Sequence, residues 1–334
     1  MRRLLNPRVW QGRGSAAETT LLLAAATLLL PLLLFIAVSW LAYGDAFRQA
    51  EERIARTLDL LYVNVRTAFE TDSLVASNVE ELIDDRSNEQ VRANERQIHD
   101  SLRRLVDPLP QIQNVWVLDE EGRPLVAAKT YPTPAGIVAT DRSYFLVHRD
   151  AATQRSVSEA MRGRLSDAPF FQYSERRQLP DGRFHGVIAV SIDPAYFVKQ
   201  FAQASDSRNF TASIVRADGE ILARYPAGGE PVRLGPETGF MRTIAASPGS
   251  GMYRVDESAF DGIGRLFVYR KLPDLPIYVV HGYALATIRD AWLGRMGSHL
   301  IFGLPATLML FALAVVATRR AQGQAETLAR LHAE

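Results

Sequence analysis

The sequence predicts an α+β chain in which two transmembrane helices enclose a long stalk helix and two tandem antiparallel sheets. Three observations carry this. First, no acid or base lies between Glu18 and Asp45, with Leu21 to Ala42 the apolar heart of that stretch; a second such run goes from Met296 to Thr318. A spanning helix needs roughly 20 such residues. Second, the segment between the two runs has ordinary soluble composition and begins with a long heptad-like stripe. Third, two unrelated sequence features recur at nearly one spacing inside that segment.

The first apolar run is longer than the region of about 7 to 15 residues found in a cleavable signal peptide, so it stays in the chain. Arg2, Arg3, Arg8 and Arg13 precede it and Arg319 and Arg320 follow the second run, whereas Arg48 and Arg53 are interleaved with Asp45, Glu51 and Glu52. Basic residues near short flanks remain cytoplasmic, and a large loop crosses largely regardless of its charge. Both termini are therefore expected in the cytosol, with residues 45–295 outside the lipid bilayer. Pro31 and Pro305 interrupt the spans and read as tolerated kinks. With no cysteine in the chain, neither a disulfide nor a thiolate metal site is available. A formal net charge of +1 supplies no basic footprint for nucleic acid.

After the first span, Phe47, Ile54, Leu58, Leu61, Val65, Ala68, Val75, Val79 and Leu82 fall on alternating steps of three and four, with Glu51 and Asp72 out of register. Such a seam predicts one continuous helix leaving the membrane. It faces either a second subunit, making a homodimer, or the chain's own body, and the pattern is the same in both cases. A polar stretch from Asp84 to Glu95 gives way to Ile98, Leu102 and Leu105, a short amphipathic helix ended by Pro108 and Pro110.

From Ile112 the texture changes to short strands and turns. Val115 to Leu118 runs into Asp119-Glu120-Glu121-Gly122 and then Pro124 to Ala128, a hairpin. Ser213 to Val215, Asp218-Gly219 and Ile221 to Ala223 repeat it. Arg177-Gln178-Leu179-Pro180-Asp181 is echoed by Arg270-Lys271-Leu272-Pro273-Asp274, each copy preceding an apolar strand, Val187 to Ile192 and Ile277 to Val280. Gly122 and Gly219 are 97 positions apart, Pro180 and Pro273 93, so the body is expected to be a duplicated unit. Each unit is strands with one helical insertion, hence an antiparallel sheet with helices on a face. Asp193 caps, and Pro194 opens, a helix carrying Tyr196, Phe197 and Phe201 between the units. Thr287 to Trp292 reads as a short helix running toward the second span.

A first span, a stalk, two tandem PAS-like sheets and a second span resemble the double Cache (dCache) sensor domains of bacterial transmembrane sensor histidine kinases and diguanylate cyclases. Asp141-Arg142-Ser143-Tyr144-Phe145 resembles a short motif of the membrane-distal unit. Gly182 to Val187 and Arg265 to Arg270 are similar to the ends of the two units. The resemblance covers about Ala46 to Trp292. It implies a division into 1–18 cytoplasmic, 19–43 first span, 44–106 stalk and amphipathic helices, 107–204 membrane-distal unit, 205–292 membrane-proximal unit, 296–318 second span and 319–334 start of a cytoplasmic signalling helix. It further implies a ligand cavity within Ile112 to Phe201 that takes amino acids or carboxylates. In the amino-acid-binding subset an Arg followed by an aromatic pair holds the ligand carboxylate, and Arg142, Tyr144 and Phe145 match that spacing. An Asp on the last strand, which would hold the amine, is replaced here by Ser191, so a carboxylate without an amine fits better.

Physically, a guanidinium fork between aromatic walls is a good carboxylate site. Arg142, Lys129, Tyr131, Tyr144 and Tyr173 are the groups expected around it, with Ser191 and Phe145 completing it. The competing reading has Asp141 and Arg142 paired at a loop with Tyr144 and Phe145 in the core. No motif for catalysis, metal or cofactor is present: His148 and His185 lack partner groups at any metal or catalytic spacing and read as surface or loop residues. Glu175, Arg176 and Arg177 read as a solvated charged turn. The expected role is small-molecule sensing and transmembrane signalling at the bacterial inner membrane, as the input half of a two-component histidine kinase whose output domain is not in this chain. A stand-alone membrane-anchored binding protein and a cyclase input half are the alternatives. Ala325, Leu328 and Leu331 give the tail the spacing of an opening coiled coil.

Overall fold

The computed structural model describes residues 16–83, 86–165, 167–204, 209–227, 233–258 and 260–331. The chain forms two bodies, Glu51–Thr287 and a second made of the segments on either side of it. Arg2, Arg3, Arg8 and Arg13 lie outside the described residues, as do the side chains of Ala325, Leu328 and Leu331.

Two helices, α1 (Ala16–Ile83) and α7 (Leu285–Leu331), supply the terminal body. Both are long and apolar enough to cross a membrane, and almost none of either apolar stretch is covered by protein. The core helix of a soluble protein would be buried instead. Where the helices leave their apolar stretches they touch: the Trp292 indole N–H donates to the Ser39 carbonyl at 3.1 Å, and Tyr43 meets the Trp292 ring edge-on at 5.6 Å. Trp40 stands exposed beside them. Rings of this kind settle where hydrocarbon gives way to headgroups.

In the central body, α1 continues without a break, as the seam predicts. Ile54, Leu58, Leu61, Val65, Ala68, Val75 and Val79 are all buried within the single chain. The seam is therefore consumed by the chain's own body, and Ile83 rather than Leu82 closes it. The polar stretch that follows holds a helix the pattern did not announce, α2 (Asn88–Ala93), started by a Ser87–Gln90 capping box. Next comes the expected amphipathic helix α3 (Glu95–Val106), which buries Ile98, His99, Leu102 and Val106.

The first sheet contains β1 (Ile112–Leu118), β2 (Pro124–Ala127), β3 (Arg155–Val157), β4 (Met161–Arg162), β5 (Pro169–Gln178) and β6 (Phe184–Ile192), with α4 (Ser143–Asp150) inserted before β3. Its order is β2-β1-β6-β5-β3, with β4 on β5. After α5 (Pro194–Ala204), whose first turn is capped by Asp193 Oδ1 at 2.9 Å from the Ala195 N–H, the second sheet follows. It comprises β7 (Phe210–Arg216), β8 (Ile221–Tyr225), α6 (Gly239–Ala246), β9 (Ser250–Val255), β10 (Arg265–Lys271) and β11 (Ile277–Ala284), ordered β8-β7-β11-β10-β9. Both sheets are antiparallel and the orders are superimposable. Both first hairpins carry a bulge at the corresponding place, Val117/Leu118 and Ile214/Val215. Gly122 and Gly219 turn those hairpins at φ +74 and +90, a region that costs glycine little.

The echoed pentapeptides are the ends of β5 and β10 and the turns into the central strands β6 and β11. Their leading arginines both reach α1: Arg177 lies 3.5 Å from Glu80, and Arg270 2.8 Å from Asp59. Three expectations need correction. Glu175, Arg176 and Arg177 are not a solvated turn but part of β5, where Arg177 is 3% exposed and Arg176 stacks over Phe184 at 4.9 Å. A strand's pleat sends alternate side chains inward whatever their charge, and these then find partners. His148 is not a surface or loop histidine: it sits on α4, fully buried, with Nε2 2.8 Å from Ser174 Oγ and Nδ1 2.5 Å from the Thr153 carbonyl. Burial lowers its pKa. Finally, Thr287 to Trp292 is not a separate short helix, because α7 runs unbroken from the end of β11.

Candidate ligand-binding cavity

Strand alternation divides the first sheet into two faces. Along β5, Phe171 stacks on Phe69 of α1 at 6.1 Å, and Tyr173 lies among α1 residues on that same side. Phe170 and Gln172 point the other way, into a cavity of 270 Å³. Its floor is a polar row. Cross-strand pairing puts Asn114 of β1 opposite Ser191 of β6, and Ser191 opposite Gln172 of β5. Trp116 and Tyr144 wall it, and Lys129, Arg142 and Arg164 reach it from β2's exit, the start of α4 and the loop after β4.

The row is unevenly satisfied. Asn114 is saturated: Oδ1 accepts from the N–H groups of Val115 and Lys129 at 2.9 and 2.8 Å, and Nδ2 donates to Thr130 Oγ1 at 3.1 Å. Gln172 is buried, and its Oε1 has no hydrogen-bond partner among the described residues. A buried orphan acceptor costs roughly 1–3 kcal/mol unless something donates to it. Ser191, 4% exposed, stands beside it.

The cations differ in commitment. Lys129 Nζ donates to the Ile112 carbonyl at 2.6 Å. Arg164 pairs with Asp141, and that bond holds the Asp141 carboxyl below the usual carboxylate range. Among the described residues, Arg142 has only long contacts, Nη1 to Met161 Sδ at 3.6 Å and Nη2 to the Arg162 carbonyl at 3.4 Å. Among the described residues, no acid lines the cavity. Burial raises the pKa of the Tyr144 hydroxyl, which stays a neutral donor. Three guanidinium or ammonium groups over a floor with a free acceptor can hold an anion that also carries a hydrogen-bond donor. Among the described residues, no three His, Asp or Glu side chains converge as metal ligands would.

No protein-family model matches the chain, and no curated protein does. Solved structures do. The extracellular domain of rpHK1S-Z16, named as a histidine kinase, matches at TM-score 0.62 and 23% identity, over 74% of this chain and 100% of that one. The ligand-binding domain of the Pseudomonas aeruginosa amino acid chemoreceptor PctB, in complex with L-Arg, matches at TM-score 0.55 and 16% identity, over 75% and 93%. That of the Campylobacter jejuni chemoreceptor Tlp3, in complex with L-valine, matches at TM-score 0.52 and 13% identity, over 75% of this chain and 98% of that one. The chain has the double Cache fold.

Within that double Cache body, Arg142, Tyr144, Lys129 and Ser191 come together at the first sheet's cavity. Phe145 is next to it but in the core, packed with Leu118, Ala139, Val187 and Ala189. Asp141 pairs with Arg164 rather than with Arg142, which frees the fork. Tyr173 is on the opposite face, its hydroxyl donating to Glu175, and does not line the cavity. Tyr131 is also outside it, half exposed, tilted against His99 at 5.2 Å with Arg96 above its ring. Sequence reasoning overlooked Gln172, Asn114, Trp116 and Arg164. For Gln172 a signal existed: a lone amide within Phe170-Phe171-Gln172-Tyr173 is an uncharged polar group in a run built to be buried.

Proposed function

We propose that the chain is the sensory input half of a two-component histidine kinase, binding a small organic anion in the cavity of the first sheet. The observation that carries this is Arg142, a cavity-lining guanidinium without a strong partner among the described residues, facing a buried floor whose Gln172 acceptor none of those residues satisfies. A hydroxy- or amino-bearing carboxylate would satisfy both. The amino acids bound by the PctB and Tlp3 domains belong to that chemistry and support the reading.

In this proposal α1 and α7 cross the bacterial inner membrane, residues 45–295 are periplasmic and both termini are cytoplasmic. Ligand shifts a population between two arrangements of those helices by binding one more tightly than the other. The unit is a homodimer. Its seam is a second row on α1, Leu60, Val63 and Leu74, which remains exposed while the first seam is buried.

The test is thermal stability of the purified full chain in detergent against organic acids, amino acids and amines, since a ligand that prefers the folded state raises the midpoint. We expect an organic anion to do so, and Arg142→Ala to weaken its calorimetric affinity about tenfold or more. Binding of amines alone, or anion affinity indifferent to Arg142→Ala in a folded protein, would refute the reading.

A further inference from the structure

The second sheet has a cavity of its own, larger at 360 Å³. We propose that it is a separate site for an apolar monocarboxylate, aromatic or branched, independent of the anion site above. The matching bulges put β7 in step with β1, so Thr211 and Ser213 occupy the places of Asn114 and Trp116. The indole that fills the first cavity is a hydroxymethyl here, which opens the extra space. Across the strands the polar row becomes Thr211, Gly282 and Phe267. Gly282 leaves room for the Phe267 ring, which stacks on Tyr253 at 5.0 Å, and Phe240 of α6 adds a further ring.

The charge also moves. Arg224 of β8 stands opposite Ser213, where the first sheet has Ala127 opposite Trp116. Its guanidinium lies 3.6 Å from the Phe260 ring centroid and makes no hydrogen bond or ion pair with any described residue. Burial lowers its pKa, against a smaller opposing pull from Asp261. The acid nearby is already taken: Asp261 is held by both terminal nitrogens of the buried Arg265, at 2.6 and 2.7 Å. Arg265 Nε, also at the cavity, is a buried donor without a partner among the described residues. A stacked guanidinium keeps its N–H edge free for a carboxylate in its plane. Glu237 and Glu257, both exposed in the lining, leave Arg224 unbonded and would repel a second carboxylate.

Calorimetry of the full chain in detergent with phenylacetate and its uncharged analogue phenylacetamide tests this. Phenylacetate should bind saturably, phenylacetamide about tenfold or more weakly, and Arg224→Gln should cost phenylacetate about tenfold or more. Should that variant not fold, Ser213→Trp, which restores the side chain found at the matching place of the first sheet, should abolish binding. The proposal is overturned by an absence of saturable phenylacetate binding, by equal affinity for the amide, or by full affinity in either variant. Binding that vanishes in Arg142→Ala instead belongs to the first cavity and overturns it too, whereas failure of the anion site alone leaves the Arg224 result standing.

Discussion

The two sheets share a backbone and differ in what they hold. Strand order, hairpin bulge and the positive-φ glycine of the turn coincide. Yet where one sheet has Asn114, Ser191 and Gln172 across its strands, the other has Thr211, Gly282 and Phe267 at the matching register. Turns and registers set the path of the chain, and a handful of inward-facing residues set the chemistry. A duplicated frame can therefore carry two cavities of different lining without any change of topology.

The largest expected effect tests an asymmetry on α1. Its stretch beside the first sheet carries Asp72, fully buried with no ion-pair partner among the described residues, while Asp59, beside the second, is half exposed and paired with Arg270. Burial pushes the Asp72 carboxyl up to about 8, against a smaller opposing pull from Gln111. An unfolded Asp releases its proton near pH 4, so between about 4 and about 8 the folded chain binds the extra proton, and stability falls as pH rises through that window. Asp72→Asn should abolish this fall and be several kcal/mol more stable than the parent at pH 9, with little change at pH 4, in denaturant titrations at each pH. A parallel pH dependence in parent and variant would place the effect elsewhere.

Next in size is the comparison of Gly186 with Gly282. An added Cβ at Gly186, at φ +121, would meet the Leu118 carbonyl oxygen at 2.0 Å, whereas at Gly282 it would meet the Phe267 and Thr211 side chains at 2.4 and 2.7 Å. Backbone cannot step aside as a ring can. Gly186→Ala should cost about 3 kcal/mol or more, and Gly282→Ala less, by urea unfolding. Equal losses would mean that the two central strands are constrained alike.

The smallest effects come from the echoed arginines. Arg177 is buried against Glu80, and Arg270 is half exposed against Asp59. Arg177→Ala should cost about 2 kcal/mol, since it takes the buried guanidinium away from Glu80, Asn88 Oδ1 and the His185 carbonyl. Arg270→Ala should cost under about 1 kcal/mol, as exposed pairs do. If the two costs match, the repeat extends from sequence to energetics.

Much of this organisation was readable in advance. The apolar runs, the seam and the two echoes at nearly one spacing marked the helices and both hairpins, because each depends on local period and turn residues. Arg142, Tyr144, Lys129 and Ser191 were singled out and meet at one cavity. Tyr173 and Tyr131 were grouped with them, and the pleat of β5 and the packing of Tyr131 on α3 carry both away. Residue type marks a ring as suited to a wall, but the face it takes depends on strand register, which pairing with a distant strand decides.

By itself the sequence determined the α+β class, the membrane-length helices, the duplication and the run of polar and aromatic residues from which a site could be built, since periodicity and turn chemistry act over a few residues. Only the tertiary structure decided that the stalk seam is spent on the chain's own body, that Gln172 and not Tyr173 faces the first cavity, and that Arg224 has no ion-pair partner among the described residues while Arg265 has Asp261. Those outcomes depend on which groups reach each other across the fold, and burial makes each such pairing, or its absence, count.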